Sequence, residues 1–140
     1  NNPTDDQTEN LRLLCERVLQ PVRDHFNQVV HVSSGFRDPV LSQKIGSSIK
    51  SQHCKGEAAD VEIFGVANNE LADWIKSNLM FDQLILEYHT PGEPNSGWVH
   101  VSYTKEINAN RKEYLMATKS ESGKTEYKQI LGLSTDRYVK

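Results

Sequence analysis

"SQHCKGEAADVEI" (residues 51–63) sets His53 and Asp60 seven positions apart, with Gly56, Ala58 and Ala59 between them. Its tail, "ADVEI", predicts a strand, and the residues before it predict a loop that carries His53. A loop histidine and an aspartate at a strand start reach one ion only if the path between them folds tightly. Gly56 tolerates left-handed backbone that other residues resist, and the two alanines add little bulk. Zinc accepts imidazole nitrogen and carboxylate oxygen, so the stretch reads as part of a ligand set.

On either side, helices and strands interleave. "TDDQ" (4–7) is a Thr-x-x-Gln capping box opening a helix in which Leu11, Leu14, Cys15, Val18, Leu19 and Val22 recur at helical spacing. Pro21 lies inside that pattern and predicts a kink or restart. Cys15 reads as core. "VVHVSSG" (29–35) predicts a strand, and "DPVLSQKIG" (38–46) a short helix capped by Asp38, with Pro39 at its first position and Gly46 past its end. A polar loop, "SSIKSQ", follows. "NNELADWIKSNL" (68–79) is amphipathic, with Leu71, Trp74, Ile75 and Leu79 on one face. "DQLILEY" (82–88) and "WVHVSY" (98–103) read as an antiparallel pair around a turn-rich linker, and "KEYLMATKS" and "KTEYKQI" as a final hairpin around "ESG". The predicted class is α+β, a small antiparallel sheet with helices packed on one side.

Composition narrows the function. The 140 residues suit a single domain over 1–140, and a formal charge of −3 argues against nucleic acid as the main partner. No apolar run approaches the ~20 residues of a membrane span. Asn1 is not a start methionine, which leaves a removed leader open, and Cys15 and Cys54 make no disulfide framework. Cys54, beside His53, reads as a buried thiol rather than a ligand.

A third ligand candidate stands downstream. In "WVHVS" (98–102) Trp98, His100 and Ser102 share one face and Val99 and Val101 the other, so the valines meet the core and His100 faces a cleft. Two histidines and one carboxylate match the three protein ligands of many catalytic zinc sites. His25 and His31 have no partners in this pattern, and Gln52 and Glu57 read as facing solvent.

"SSGFR" (33–37), "SQHCKGEAAD" (51–60) and "WVHVS" resemble, in order and spacing, the zinc D-Ala-D-Ala carboxypeptidase family of cell-wall peptidases. That family includes D,D-dipeptidases and phage L-alanyl-D-glutamate endolysins and shares its fold with the hedgehog signalling domain. The signature S-x-H-x-x-G-x-A-x-D is met by Ser51, His53, Gly56, Ala58 and Asp60, and Trp-x-His by Trp98 and His100. The resemblance covers about residues 10–104; the hairpin over 105–140 carries no signature.

The resemblance implies that His53, Asp60 and His100 bind one zinc ion, and that Arg37 holds substrate and stabilises developing negative charge. Its guanidinium fork suits a carboxylate or a polarised peptide oxygen, although a surface arginine capping the helix or pairing with Asp38 is the plainer alternative. Ser51 can hydrogen-bond within the ligand loop and orient His53; Trp98 lines the substrate groove or packs in the core. Family members often carry their general base three to five positions before the second zinc histidine, where this chain has Gly97, Ser96 and Asn95. Glu87, a carboxylate within "LILEYH", is the nearest candidate, with His89 second.

The implied activity is zinc-dependent hydrolysis of a peptide bond in peptidoglycan stem peptides; separately, a monomer is expected. The implied location is periplasmic or extracellular, or, for a phage-encoded enzyme, the host cell wall. A zinc-containing module of the same fold that binds without cutting is the alternative. Which bond is cut stays open.

Overall fold

A computed structural model describes residues 2–45 and 51–134 of the chain. Helix α1 (Asp5–Leu14) starts at the expected capping box: the Gln7 N–H donates to Thr4 Oγ1 at 3.2 Å, and the Thr4 N–H donates to Gln7 Oε1 at 2.7 Å. The helix then widens into a π turn (Cys15–Leu19) and resumes as α2 (Gln20–Phe26). Pro21 explains the wide turn. It has no N–H to donate, and its ring crowds the carbonyl four residues back, so the Gln20 N–H reaches back to the Cys15 carbonyl instead. The extra width keeps Leu14, Val18 and Val22 in line on the core side. It turns Cys15 outward, correcting its reading as core: the thiol is exposed because the helix departs from the regular period there.

Six strands form one sheet: β1 (His31–Ser34), β2 (Ala58–Glu62), β3 (Gln83–Glu87), β4 (Trp98–Ser102), β5 (Glu113–Lys119) and β6 (Thr125–Gln129). Their order is β1-β2-β4-β3-β5-β6, and every neighbouring pair is antiparallel except β3 and β5. The parallel pair departs from the all-antiparallel expectation. Because β4 is already flanked by β2 and β3, β5 takes the free edge of β3. It starts at the end of β3 where β4 finishes, and so must run the same way as β3.

Helix α3 (Pro39–Lys44) is capped by Asp38, which accepts the Val40 N–H at 2.8 Å. Gly46, the expected stop, and the loop residues 47–50 lie outside the described residues. Between α3 and β2, His53 sits in a 3₁₀ turn (Gln52–Lys55) rather than an irregular loop. Helix α4 (Asn68–Asn78) lies between β2 and β3 in the chain.

One core joins these elements. Leu14, Val18 and Val22 from the N-terminal helices and Leu71, Ala72 and Ile75 from α4 meet Ala59, Val61, Leu84, Leu86, Val99, Val101, Tyr114 and Met116 from the sheet. The strand residues alternate, so they share one face of the sheet and leave the other free for polar side chains. Among the described residues, no helix is long and apolar enough to cross a membrane.

Candidate active site

Two rows of side chains stand on the face opposite the core. Residues directly opposite one another on neighbouring strands share a face. The first row runs Ser34, Asp60, His100, Ile85 across β1, β2, β4 and β3. The second, one pleat away, runs Trp98, Glu87, Ala117, Tyr127 across β4, β3, β5 and β6. A cleft of about 440 Å³ lies over both rows, lined also by Arg37, Ser51 and His53.

The 3₁₀ turn brings His53 to the first row. Its N–H donates to Ser51 Oγ at 3.2 Å, and Gly56 closes the turn at φ +75°, where a side chain would be strained. Space also demands glycine: an added Cβ would stand 2.5 Å from the Gln7 carbonyl oxygen of α1. That helix grips the turn from behind, through Gln7 Nε2 on the Cys54 carbonyl and Asn10 Nδ2 on the Lys55 carbonyl. Cys54 itself is buried, as expected. The segment leaving β1 grips the turn from the front. His53 Nδ1 donates to the Gly35 carbonyl at 2.8 Å, and the Arg37 N–H donates to the His53 carbonyl at 2.9 Å.

The Gly35 bond fixes the imidazole and leaves Nε2 facing Asp60 Oδ1 at 3.4 Å, while His100 Nδ1 lies 3.1 Å from the same oxygen. One ligand atom from each of the three residues falls within 4.8 Å of the others. Donors ~2.1 Å from a tetrahedral ion stand about 3.4 Å apart, so the arrangement fits a metal ion with little movement. The donor set of two imidazoles and a carboxylate, with one imidazole oriented by a backbone carbonyl, suits zinc chemistry as well. Burial pushes the Asp60 carboxyl up, but hydrogen bonds and electrostatic attraction from His100 and His53 outweigh it, holding the group at about 2. Asp60 is therefore an anion at neutral pH.

Glu87 shares the face of His100 through the register Ile85 to His100 and Glu87 to Trp98. Its carboxyl is raised above 4.5, chiefly by burial and further by the charge of Asp60, against the pull of His100, Trp98 and His53. The buried Trp98 indole N–H lacks a well-formed hydrogen bond; it faces the Glu87 carboxylate and favours its charged form. Trp98 is half-buried, lines the cleft, and packs its ring 5.4 Å from that of Tyr88. Arg37 also lines the cleft, and its Nη2 donates to Ser34 Oγ at 3.1 Å.

His89 does not join these rows. The strand stops at Glu87, Tyr88 takes a left-handed φ of +55°, and His89 is buried with Nδ1 near Ser96. The return of the chain into β4 is tight, and a Cβ on Gly97 would stand 1.9 Å from the Glu87 carbonyl oxygen.

Two residues read as solvent-facing are not. Glu57 is buried, and Gln52 is half-buried with its Nε2 donating to Asp82 Oδ2 at 2.9 Å. Both follow from the 3₁₀ turn, which packs residues that an open loop would expose. His31 is exposed on β1, and His25 stacks on Trp74 at 4.4 Å, away from the cleft. Ile85 and Tyr127 enter the cleft unannounced: the first sits within an apolar run, and the second lies in a hairpin with no motif.

A family model described as Peptidase M15 matches residues 2–102, the span that carries the three candidate ligands, Arg37 and Glu87. A search of curated proteins finds no match. With a match over most of the chain and a His–Asp–His group at its centre, the chain belongs to the peptidase M15 family, the zinc peptidases of D-Ala-D-Ala carboxypeptidase type.

Proposed function

We propose that the protein hydrolyses a peptide bond in peptidoglycan stem peptides, with zinc held by His53, Asp60 and His100. The observation that carries this reading is the two-row arrangement, in which an oriented ligand set and a carboxylate share one face of a peptide-sized cleft. Bound zinc supplies Lewis acidity, which makes water a better nucleophile at neutral pH and polarises the scissile carbonyl.

The remaining work falls to the chain. Glu87 accepts a proton from the attacking water and returns it to the leaving amine. Its raised pKa suits both directions of transfer. Arg37 offers parallel N–H donors to the substrate carboxylate and to charge developing on the carbonyl oxygen. Ser51 and Gly35 hold His53 in place with Nε2 turned towards Asp60, where it would serve as a ligand. Trp98 walls the cleft and steadies the ionised form of Glu87.

Mass spectrometry of purified muropeptides tests the reading. Zinc-loaded protein should release stem-peptide fragments, and a chelator should stop the release until zinc is restored. Unchanged muropeptide masses with fully loaded protein would overturn it.

A further inference from the structure

The family match ends at residue 102, yet the cleft continues beyond it to Tyr127 on β6. Register sets Tyr127 opposite Ala117, and Ala117 opposite Glu87, all on one face. Only the Ala117 methyl stands between the phenol and the carboxylate in that row.

The hairpin is also fastened to the strand that carries the acid. The Tyr88 N–H donates to the Ala117 carbonyl at 2.8 Å, and the Tyr88 and Thr125 hydroxyls meet at 2.6 Å. Tyr127 is nonetheless 56% exposed, an open aromatic between the exposed Glu126 and Lys128. Partial burial and the nearby Glu87 carboxylate push its phenol pKa up, and the protonated hydroxyl can donate a hydrogen bond. Ring and hydroxyl together offer an apolar face and a hydrogen bond, which suits a peptide backbone.

The cleft has two ends. Arg37 follows β1, Tyr127 lies on β6, and the ligands and Glu87 stand between. From His100 on β4 to Tyr127 on β6 is three strand spacings, about 14 Å, or roughly four extended residues. A peptide whose carboxylate end is held by Arg37 crosses the ligands and Glu87 and reaches Tyr127 with its amino-terminal part. We propose that Tyr127 is a substrate-binding residue for the amino-terminal side of the scissile bond, making the site selective for peptides longer than the residues at the cut. This assignment rests on the peptidase reading above, with Arg37 at the carboxylate end.

Calorimetry on the zinc-loaded Glu87→Gln protein separates the two. The probes are the stem pentapeptide L-Ala-D-iGlu-L-Lys-D-Ala-D-Ala and its C-terminal tripeptide L-Lys-D-Ala-D-Ala. The pentapeptide should bind more tightly, and adding Tyr127→Ala should cut that preference about tenfold. Adding Tyr127→Phe, which keeps the ring and loses the donor, should cut it roughly threefold. Zinc content and circular dichroism establish that each variant is folded. A preference retained in both variants, or absent before Tyr127 is changed, overturns this assignment and leaves the peptidase reading standing. Failure to bind either peptide overturns both.

Discussion

Glu87 lies in a row with Trp98 and beside the row that holds His100 and Asp60, so its protonation is set by its surroundings rather than by its neighbours in the chain. Replacing it with glutamine keeps size and hydrogen bonding but removes the proton acceptor. Glu87→Gln should retain full zinc content while kcat falls about 10²–10⁴-fold, the usual scale of general-base catalysis. His53→Ala should lose zinc and activity together. Metal analysis beside turnover of muropeptides distinguishes the variants; full turnover by Glu87→Gln would remove it as the base. At this scale the His53–Asp60–His100 cluster was legible because its spacing and residue types are those that zinc chemistry uses. The place of Glu87 on the cleft face was legible because a carboxylate within an apolar run is costly to bury on the core side. The position of Tyr127 in the cleft was not, because it depends on a row completed by two other strands, and no residue near it in the chain announces that row.

Among the elements, the 3₁₀ turn at Gln52–Lys55 that carries His53 is held from behind by α1. Gly56 is the point of closest approach, with a left-handed backbone and the Gln7 carbonyl where a methyl would go. Gly56→Ala should therefore push the turn away from α1. We expect a stability loss of about 1–3 kcal/mol from strain and overpacking, and zinc affinity lower by about tenfold as the imidazole shifts. Thermal melts and competition against a chromogenic chelator measure the two effects. A lower melting temperature with unchanged zinc affinity would mean that α1 supports the fold without positioning the ligand. The helix starts, the capping box and the β3–β4 hairpin all follow from local pattern and were readable in advance. The π turn was not, since it arises from a conflict between Pro21 and an otherwise regular period, and Cys15 was misplaced with it. The docking of β5 alongside β3 was also hidden, because strand order depends on which edge the earlier strands leave free.

Across the whole molecule, Asp82 ties the ligand-bearing turn to the strands that follow the family match. Its buried carboxylate accepts Gln52 Nε2 at 2.9 Å, Arg111 Nε at 2.9 Å and the Arg111 N–H at 3.1 Å. Its own backbone bonds Ser102 in β4 and Glu113 in β5. Burial opposes its ionisation, but the Arg111 guanidinium and N–H and the Gln52 amide more than offset this, holding the carboxyl below 3.8. The sign of the pH effect follows. A carboxyl whose folded-state pKa lies below its unfolded value adds stability that is fully present above the unfolded value and is lost as pH falls through the folded one. Urea unfolding from pH 7 to pH 3 should thus show stability falling at the acid end, with Asp82 among the contributors. Asp82→Asn removes the ionisable group, and its curve should lie below that of the parent at pH 7 and converge towards it near pH 3. A constant gap between the two curves would show that Asp82 acts through packing alone. Because Gln52 adjoins His53, the neutral variant should also weaken zinc binding at pH 7, coupling the β5–β6 hairpin to the metal centre through one buried carboxylate.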